Sequence, residues 1–173
     1  YKTDDVTPVF WFHYTPDALV VPDQSPIKTF ADFVKAAKAD PGKISLGGSG
    51  LNSANHAAHE RLNATFGVKT TYIPFKGTGD MTTAVLGSQV DGAMSYTAFA
   101  INNKGRVRAL AVATTSYTTG QAVAFFDGTD DIEDWHRVRR AGHRRQIDLD
   151  VLMASAAIPF IFPASSIDGS HYG

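Results

Sequence analysis

The chain has 173 residues, of which 43% are hydrophobic and 19% are charged, and its formal net charge at pH 7 is −1. This length suffices for one ordinary domain with a hydrophobic core, and the balanced charge argues against nucleic acid as a partner. The absence of cysteine excludes disulfides and thiolate metal sites. No apolar run approaches the roughly 20 residues that span a bilayer, so we expect no membrane insertion.

Strands and helices alternate in the first two thirds of the chain. The predicted strands are Val9–Tyr14, Ala18–Val21, a short one at Ile44 and Leu46, Thr70–Phe75, Val90–Met94 and Arg106–Ala113. Predicted helices follow Thr29, Asn52 or Ser53, and Met81, with a helical turn over Ala98–Asn102. This alternation predicts an α/β fold of three layers, in which helices flank a largely parallel or mixed sheet.

Two of these helices carry recognisable end signals. Thr29 and Asp32 resemble a capping box, and Asp40-Pro41-Gly42 stops the first helix. The second helix ends at Gly67, the position expected of a C-terminal glycine. Its apolar stripe predicts packing on the sheet, and its polar stripe predicts a solvated face. The apolar stripe is Ala54, Ala58, Leu62 and Thr65, and the polar one is His56, His59, Glu60 and Asn63.

The pattern of the sequence changes after about Thr115. A hairpin turn at Thr118-Thr119-Gly120 leads to a predicted strand, Ala122–Phe126. Asp130–Arg145 is densely charged, with acids before bases, which suits the dipole of a helix better than nucleic-acid binding. Leu149–Ala157 predicts a small apolar helix, so this part is a C-terminal hairpin and helix segment.

Four apolar residues follow that helix: Ile158, Phe160, Ile161 and Phe162. Exposed, they would form an aggregation-prone patch. The sequence therefore predicts that they are buried against the first segment or against another copy of the chain, which would make a homo-oligomer.

The most informative stretch is KISLGGSGLNSANHAAHE, Lys43–Glu60. It predicts a strand, a turn containing Gly47, Gly48 and Gly50, and then a helix. The free N–H groups and the positive dipole at such a helix start form an anion site. Lys76-Gly77-Thr78-Gly79-Asp80 is a second glycine turn after a strand, and ligands of α/β sheets lie beyond such strand ends.

His56, His59 and Glu60 could face one side of the helix at metal-ligand spacing. The sequence shows no third protein ligand of the kind zinc requires, and H-x-x-H-E is not the H-E-x-x-H motif. We therefore predict a polar surface here, with no metal and no cofactor.

Residues from about Asp5 to Thr114 resemble the receptors of tripartite tricarboxylate transporters, the Bug-type periplasmic solute-binding proteins. The resemblance is carried by the segments LVVPDQSPIKTFADFVKAAKADPGKIS, GGSGLNSANHAAHE, YIPFKGTGDMTTAVLGSQVD and GRVRALAVAT. It implies one lobe, residues 1–114, of a two-lobed clamp that holds small carboxylates, with the first lobe missing. The parent family is periplasmic, whereas this chain shows no signal peptide and its own location is not predicted.

The resemblance also implies which residues would bind a carboxylate. Its donors would be N–H and hydroxyl groups of the two glycine turns, with one lysine adding charge. The residues are Ser49, Gly50, Asn52, Ser53, Lys76, Gly77 and Thr78.

Residues from about Arg108 to Gly173 resemble a fragment of patatin-like phospholipases, which are serine lipid acyl hydrolases. The carriers are RALAVATTSYTTGQAVAFF, DLDVLMASAAIPFIFPA and IDGSHYG, so residues 115–173 would be a patatin-like fragment packed on the same sheet. The G-x-S-x-G elbow is absent, the catalytic Asp would fall after Gly173, and Asp168 matches a non-catalytic position. Without nucleophile and base, no covalent acyl chemistry is expected.

Three interpretations follow. The first is a non-catalytic chimera that carries one lobe of a carboxylate receptor and binds its ligand weakly. The second is an inactive remnant of a lipid acyl hydrolase. The third is an engineered or recombined chain without evolved activity.

Overall fold

The computed structural model describes residues 17–128, 133–156 and 163–172. The predicted strand Val9–Tyr14 and the apolar residues between 158 and 162 lie outside these ranges. In the described part of the chain, no helix has the length and apolar character needed to cross a membrane.

The described elements follow the predicted alternation closely through the first two thirds of the chain. The strands are β1 Asp17–Pro22, β2 Ser45–Ser49, β3 Thr71–Phe75, β4 Gly92–Tyr96, β5 Val107–Thr115, β6 Ala122–Phe126, β7 Trp135–Arg137, β8 Arg140–Arg144, β9 Ser165–Ile167 and β10 Ser170–Tyr172. The helices are α1 Phe30–Ala39, α2 Ala54–Phe66, α3 Thr78–Leu86, α4 Thr97–Asn102 and α5 Leu149–Ala156.

One mixed sheet organises the molecule, with strands in the order β3-β2-β4-β1-β5-β6-β8-β7. The pairs β2–β3, β2–β4 and β6–β8 are parallel, and the other pairs in this sheet are antiparallel. Strands β6, β8 and β7 continue the sheet that β1 to β5 begin, while β9 and β10 form a separate two-stranded sheet. The mixed sheet of the predicted fold class is confirmed.

Helices cover both faces of the sheet, as the alternation of side chains along β1 shows. Ala18 and Val20 belong to a core shared with α3, α4 and α5. Leu19 and Val21 belong to a second core, shared with α1 and α2. Successive strand residues point to opposite faces, so the two cores lie on opposite sides of the sheet. The predicted three-layer arrangement is confirmed.

The end signals of the first two helices are confirmed as well. Thr29 Oγ1 accepts a hydrogen bond from the Asp32 N–H at 3.1 Å, and Asp32 Oδ2 accepts one from the Thr29 N–H at 3.0 Å. Helix α1 is capped at its end by Asp40, and α2 ends at Gly67 with φ 61°, a left-handed conformation that glycine adopts readily.

The prediction of a helix within Asp130–Arg145 is wrong for the described residues of that range. Strands β7 and β8 form an antiparallel hairpin there, and Arg139 at its turn has φ 63°. Two features favour the hairpin, one long-range and one within the hairpin itself. Strand β8 pairs in parallel with β6. The Trp135 indole packs directly on Gly142, where an added Cβ would lie only 2.2 Å from the indole Nε1.

Asp134 makes the stability of this hairpin dependent on pH. The Arg144 N–H donates to Asp134 Oδ1 at 2.6 Å, and His143 Nδ1 lies 3.1 Å from Oδ2. The Arg144 hydrogen bond, helped by His143, outweighs partial burial and lowers the pKa of the Asp134 carboxyl below its usual range. The carboxylate therefore stabilises the fold above its unfolded pKa, and this contribution is lost as the pH falls through the folded pKa.

We accordingly expect the denaturation midpoint to fall more steeply below pH 4 in the unsubstituted chain than in Asp134→Asn, whose amide oxygen accepts hydrogen bonds at every pH. Urea denaturation at a series of pH values measures this difference. Parallel pH profiles for the two proteins would contradict the assignment.

Candidate functional site

The two predicted turns begin side by side. Strands β2 and β3 are parallel neighbours, and their last residues, Ser49 and Phe75, are register partners. Adjacent strands lie about 4.8 Å apart. The segments Ser49–Ser53 and Lys76–Thr78 therefore leave the same edge of the sheet, which we call the strand-end edge: the carboxyl ends of β2, β3 and β4 with the turns that follow them.

The chain also enters and leaves the first part of the sheet at this edge. Strand β1 is antiparallel to β4, with Asp17 opposite Tyr96, and β5 is antiparallel to β1, with Val112 opposite Ala18. The beginning of β1 and the end of β5 thus lie beside the carboxyl ends of β2 to β4. A further lobe attached before β1 or after β5 would therefore be connected at the strand-end edge.

The first turn uses two left-handed residues, Gly50 with φ 81° and Asn52 with φ 57°. Ser53 is the N-cap of α2, and its Oγ accepts a hydrogen bond from the His56 N–H at 3.3 Å. The sequence had left Asn52 and Ser53 as alternatives for this cap, and the structure assigns it to Ser53. The Asn52 N–H donates to His56 Nδ1 at 3.1 Å, which ties the turn to the helix.

Gly47 and Gly48 do not belong to the turn, contrary to the prediction, because both lie within β2. A Cβ on Gly48 would lie 2.3 Å from the Tyr72 hydroxyl, and one on Gly47 would lie 3.0 Å from Cε2 of Phe75. The two glycines therefore leave room for aromatic rings of the neighbouring strand β3.

Asn55 fixes Ser49 through two hydrogen bonds. Its N–H and its hydroxyl donate to Asn55 Oδ1 at 3.2 and 2.6 Å. Asn55 is fully buried, and its Nδ2 has no hydrogen-bond partner among the described residues. Both donors of Ser49 are engaged within the chain, so Asn55 fixes its orientation. Sequence reasoning missed this residue, although its place two positions after Ser53, in the first turn of α2, is a usable signal.

Tyr72 is a second residue that the sequence did not single out. Its hydroxyl donates to the Gly50 carbonyl at 2.9 Å and lies 3.4 Å from Ser53 Oγ. Its ring stacks on His56 with centroids 4.6 Å apart. Burial raises the pKa of the Tyr72 phenol, so the hydroxyl stays protonated and remains a donor. The paired glycines on β2 were the available signal for an aromatic residue beside them.

The second turn is shorter than predicted, because α3 already begins at Thr78. Gly77 is its N-cap, and no side chain caps the helix start. Lys76 and Thr78 are exposed. The first N–H groups of α3 therefore face the strand-end edge without a side-chain acceptor of their own.

The family model described as "Tripartite tricarboxylate transporter family receptor" matches residues 1–122. The chain belongs to this receptor family. The matched region extends past Thr114, where the sequence had suggested that the resemblance ends.

Relatives of the chain include a UPF0065 protein encoded in the gbd 5′ region of Cupriavidus necator. It is 42% identical over 72 residues, which are 42% of this chain and 22% of the relative. The periplasmic binding protein BugD is 29% identical with a TM-score of 0.52, over 57% of this chain and 33% of BugD.

Two Rhodopseudomonas palustris structures, MatC with bound malate and Rpa4515 with adipate, are each 27% identical to the chain. Their TM-scores are 0.53 and 0.54, and the matches cover 57% and 58% of this chain and 34% of each structure. The receptor chain thus spans about a third of the length of the solved structures it matches.

The polar stripe of α2 is not the solvated face that the sequence predicted for this receptor chain. His59 is only 2% exposed, and its Nε2 lies 2.8 Å from Thr70 Oγ1 while its Nδ1 lies 3.0 Å from Glu60 Oε1. Ala54 and Thr65, predicted to pack on the sheet, are exposed. The predicted stripes therefore hold in part: Ala58 is buried as predicted and Glu60 is exposed, whereas His59 is buried with its imidazole satisfied by Thr70.

The strand-end edge is accessible to solvent, since all seven predicted residues are exposed or half-buried. None of the seven predicted residues lines either of two cavities in the described part of the chain, which have volumes of about 440 and 390 Å³. A ligand at this edge would rest against one side only.

Proposed function

We propose that the strand-end edge is half of a binding site for small di- or tricarboxylates, which would use the first N–H groups of α2 and α3 and the Thr78 hydroxyl. The donors of Ser49, Gly50 and Asn52 and the Ser53 hydroxyl are engaged within the chain and would shape the turn. The juxtaposition of Ser49 and Phe75 carries this proposal, since it sets two helix starts side by side. The N-terminal ends of α2 and α3 both favour an anion at this edge. The malate and adipate bound by the two R. palustris proteins support a carboxylate as the ligand class.

We infer that this half site binds weakly. The relatives are about three times as long as the matched region, and a first lobe joined before β1 or after β5 would face the strand-end edge. Without it, a ligand keeps solvent on one side and loses the contacts that the second lobe would supply. The parent family places such receptors in the periplasm, and the same location is our proposal for a full-length version of this chain.

We further propose that the chain is not an enzyme. Ser49, the serine within Gly47-Gly48-Ser49-Gly50-Leu51, donates its hydroxyl to the Asn55 amide oxygen and makes no hydrogen bond to an imidazole of the described residues. A serine nucleophile requires an adjacent base. Binding at the strand-end edge would therefore involve hydrogen bonds and helix dipoles without bond-making chemistry.

The division into residues 1–114 and 115–173 remains our proposal, as does the origin of the second part in a patatin-like fragment. The support is the sequence resemblance of the segments named above. The proposed function does not depend on that origin, because the strand-end edge is built by residues of the first part.

Titration with malate, followed by amide chemical shifts, tests the proposed site. We expect a dissociation constant in the millimolar range, with shifts concentrated at Gly50–Asn55 and Thr78–Asp80. Thr78→Ala is expected to weaken binding two- to fivefold, because it removes one hydroxyl donor worth about 0.5–1 kcal/mol.

Thr83→Ala is the matched control, an exposed threonine on the same helix. The neutral diamide of malate should bind less well, since it lacks the charge that the helix dipoles attract. Micromolar or tighter binding would contradict the half-site interpretation. Shifts confined to other regions at saturating malate would refute the site itself.

A further inference from the structure

A groove of about 440 Å³ lies between α2 and β7, over the strands β5 and β6. Alanine side chains form its floor, and larger apolar side chains form its walls. We call it the alanine groove, and its defining residues are Ala111, Ala113, Ala122 and Ala124 on the floor, with Leu62 and Trp135 on the walls.

The groove exists because the floor residues have small side chains. Ala113 and Ala124 are register partners across β5 and β6, so small side chains meet directly. Leu62 on α2 and Trp135 on β7 are larger and stand on either side. The volume falls within the range of about 300–1,000 Å³ that is usual for small-molecule sites, and the lining is mainly apolar.

The charges along the groove are unequal. Among the described residues, four charged side chains line it, of which Asp17 and Arg61 form an ion pair of 3.0 Å. Arg137 and Arg140 make no ion pair among the described residues, and the Arg137 guanidinium lies 5.4 Å from the centre of the Trp135 ring. Within the part of the chain that the structure describes, the alanine groove therefore carries two positive charges without an ion-pair partner on its β7–β8 side.

Those two arginines are also direct partners across the hairpin. Like charges at directly opposed positions of an antiparallel pair destabilise it. An anion between the two guanidinium groups would relieve this repulsion, and a carboxylate matches guanidinium geometry well. A neutral apolar molecule would leave the repulsion in place, and a small dicarboxylate would find no polar partner on the alanine floor.

We propose that the alanine groove binds a monocarboxylate with a hydrocarbon body. The hydrocarbon lies on the alanine floor beside Leu62 and Trp135, and the carboxylate contacts Arg137 and Arg140. This site is separate from the strand-end edge, and it does not depend on the function proposed for that edge.

Octanoate is a suitable probe, with 1-octanol as its uncharged match. The chain has two tryptophans, so Trp11→Phe leaves Trp135 as the single reporter. We expect octanoate to change the Trp135 emission saturably and to bind at least tenfold tighter than 1-octanol. Calorimetry on the same protein gives the affinity independently.

Two sets of variants separate charge from shape. Arg137→Gln combined with Arg140→Gln should weaken octanoate binding about tenfold and leave 1-octanol binding unchanged. Ala124→Leu should abolish binding of both probes because it fills the floor. Ala57→Leu, an exposed alanine on α2 outside the groove, should leave both affinities unchanged.

Equal affinities for octanoate and 1-octanol would overturn the proposal, as would binding that survives Ala124→Leu in the folded protein. Absence of binding would overturn it too. Malate titration of the Arg137→Gln, Arg140→Gln protein should be unaffected, which keeps a failure here distinct from a failure at the strand-end edge.

Discussion

Gly92→Ala is expected to lower the free energy of unfolding by about 3 kcal/mol, the upper end of the usual cost of overpacking. A Cβ at this position would lie 2.6 Å from the Val20 carbonyl oxygen and 3.2 Å from side-chain carbons of Leu46 and Val21. The nearest atom belongs to the backbone of β1, so no rotamer change can make room. The central pair β1–β4 would have to separate locally.

Gly79→Ala is the matched control for that prediction. A Cβ on Gly79 would meet no atom within 4 Å, and the residue lies in the first turn of α3. Alanine should be neutral or stabilising there, by up to about 1 kcal/mol, because it has the higher helix propensity. Urea denaturation of both variants measures the contrast. Equal stabilities would show that β1 and β4 are not packed as closely as described.

Much of the fold could be predicted because its signals are local. The Thr29–Asp32 capping box and the glycine after α2 act within one helical turn, and each lies where the sequence suggested. The β7–β8 hairpin could not be predicted in that way. Its charge order is compatible with a helix. Strands are favoured by the pairing of β8 with β6, which joins distant parts of the chain, and by the packing of Trp135 on Gly142, a cross-strand contact that exists only in the hairpin.

The same distinction applies to the candidate site. The strand-end edge follows from the order of strands and turns, so the place of the seven predicted residues at this edge could be foreseen, whereas their role in binding stays a prediction. The roles of the residues that support this edge, His59, Tyr72 and Asn55, depend on contacts that no local pattern specifies. His59 is buried because Thr70 meets its imidazole, and Tyr72 reaches Gly50 only because β2 and β3 are parallel neighbours in this register. Asn55 lies between these cases, since its spacing from Ser49 is local but its burial is not.

Phe126→Ala is expected to lower the free energy of unfolding by about 3–5 kcal/mol, the usual cost of removing a buried phenylalanine. Phe126 on β6 is 2% exposed, and its ring centroid lies 5.9 Å from that of Phe30 on α1. This contact joins the chain after residue 115 to the core shared with α1 and α2. If both parts share one cooperative unit, the variant should show a single transition at a lower denaturant concentration, by fluorescence and by far-ultraviolet circular dichroism alike.

Met153→Ala is the control within the same C-terminal part, since that side chain is 45% exposed and should cost less than about 1 kcal/mol. A double-mutant cycle with Phe30→Ala should show coupling of about 0.5–1.5 kcal/mol, the range for aromatic pairs. Two separate transitions, with the first part unaffected by Phe126→Ala, would mean that the later strands only adjoin the sheet. One shared transition would mean that the receptor lobe has incorporated the later strands into its own core.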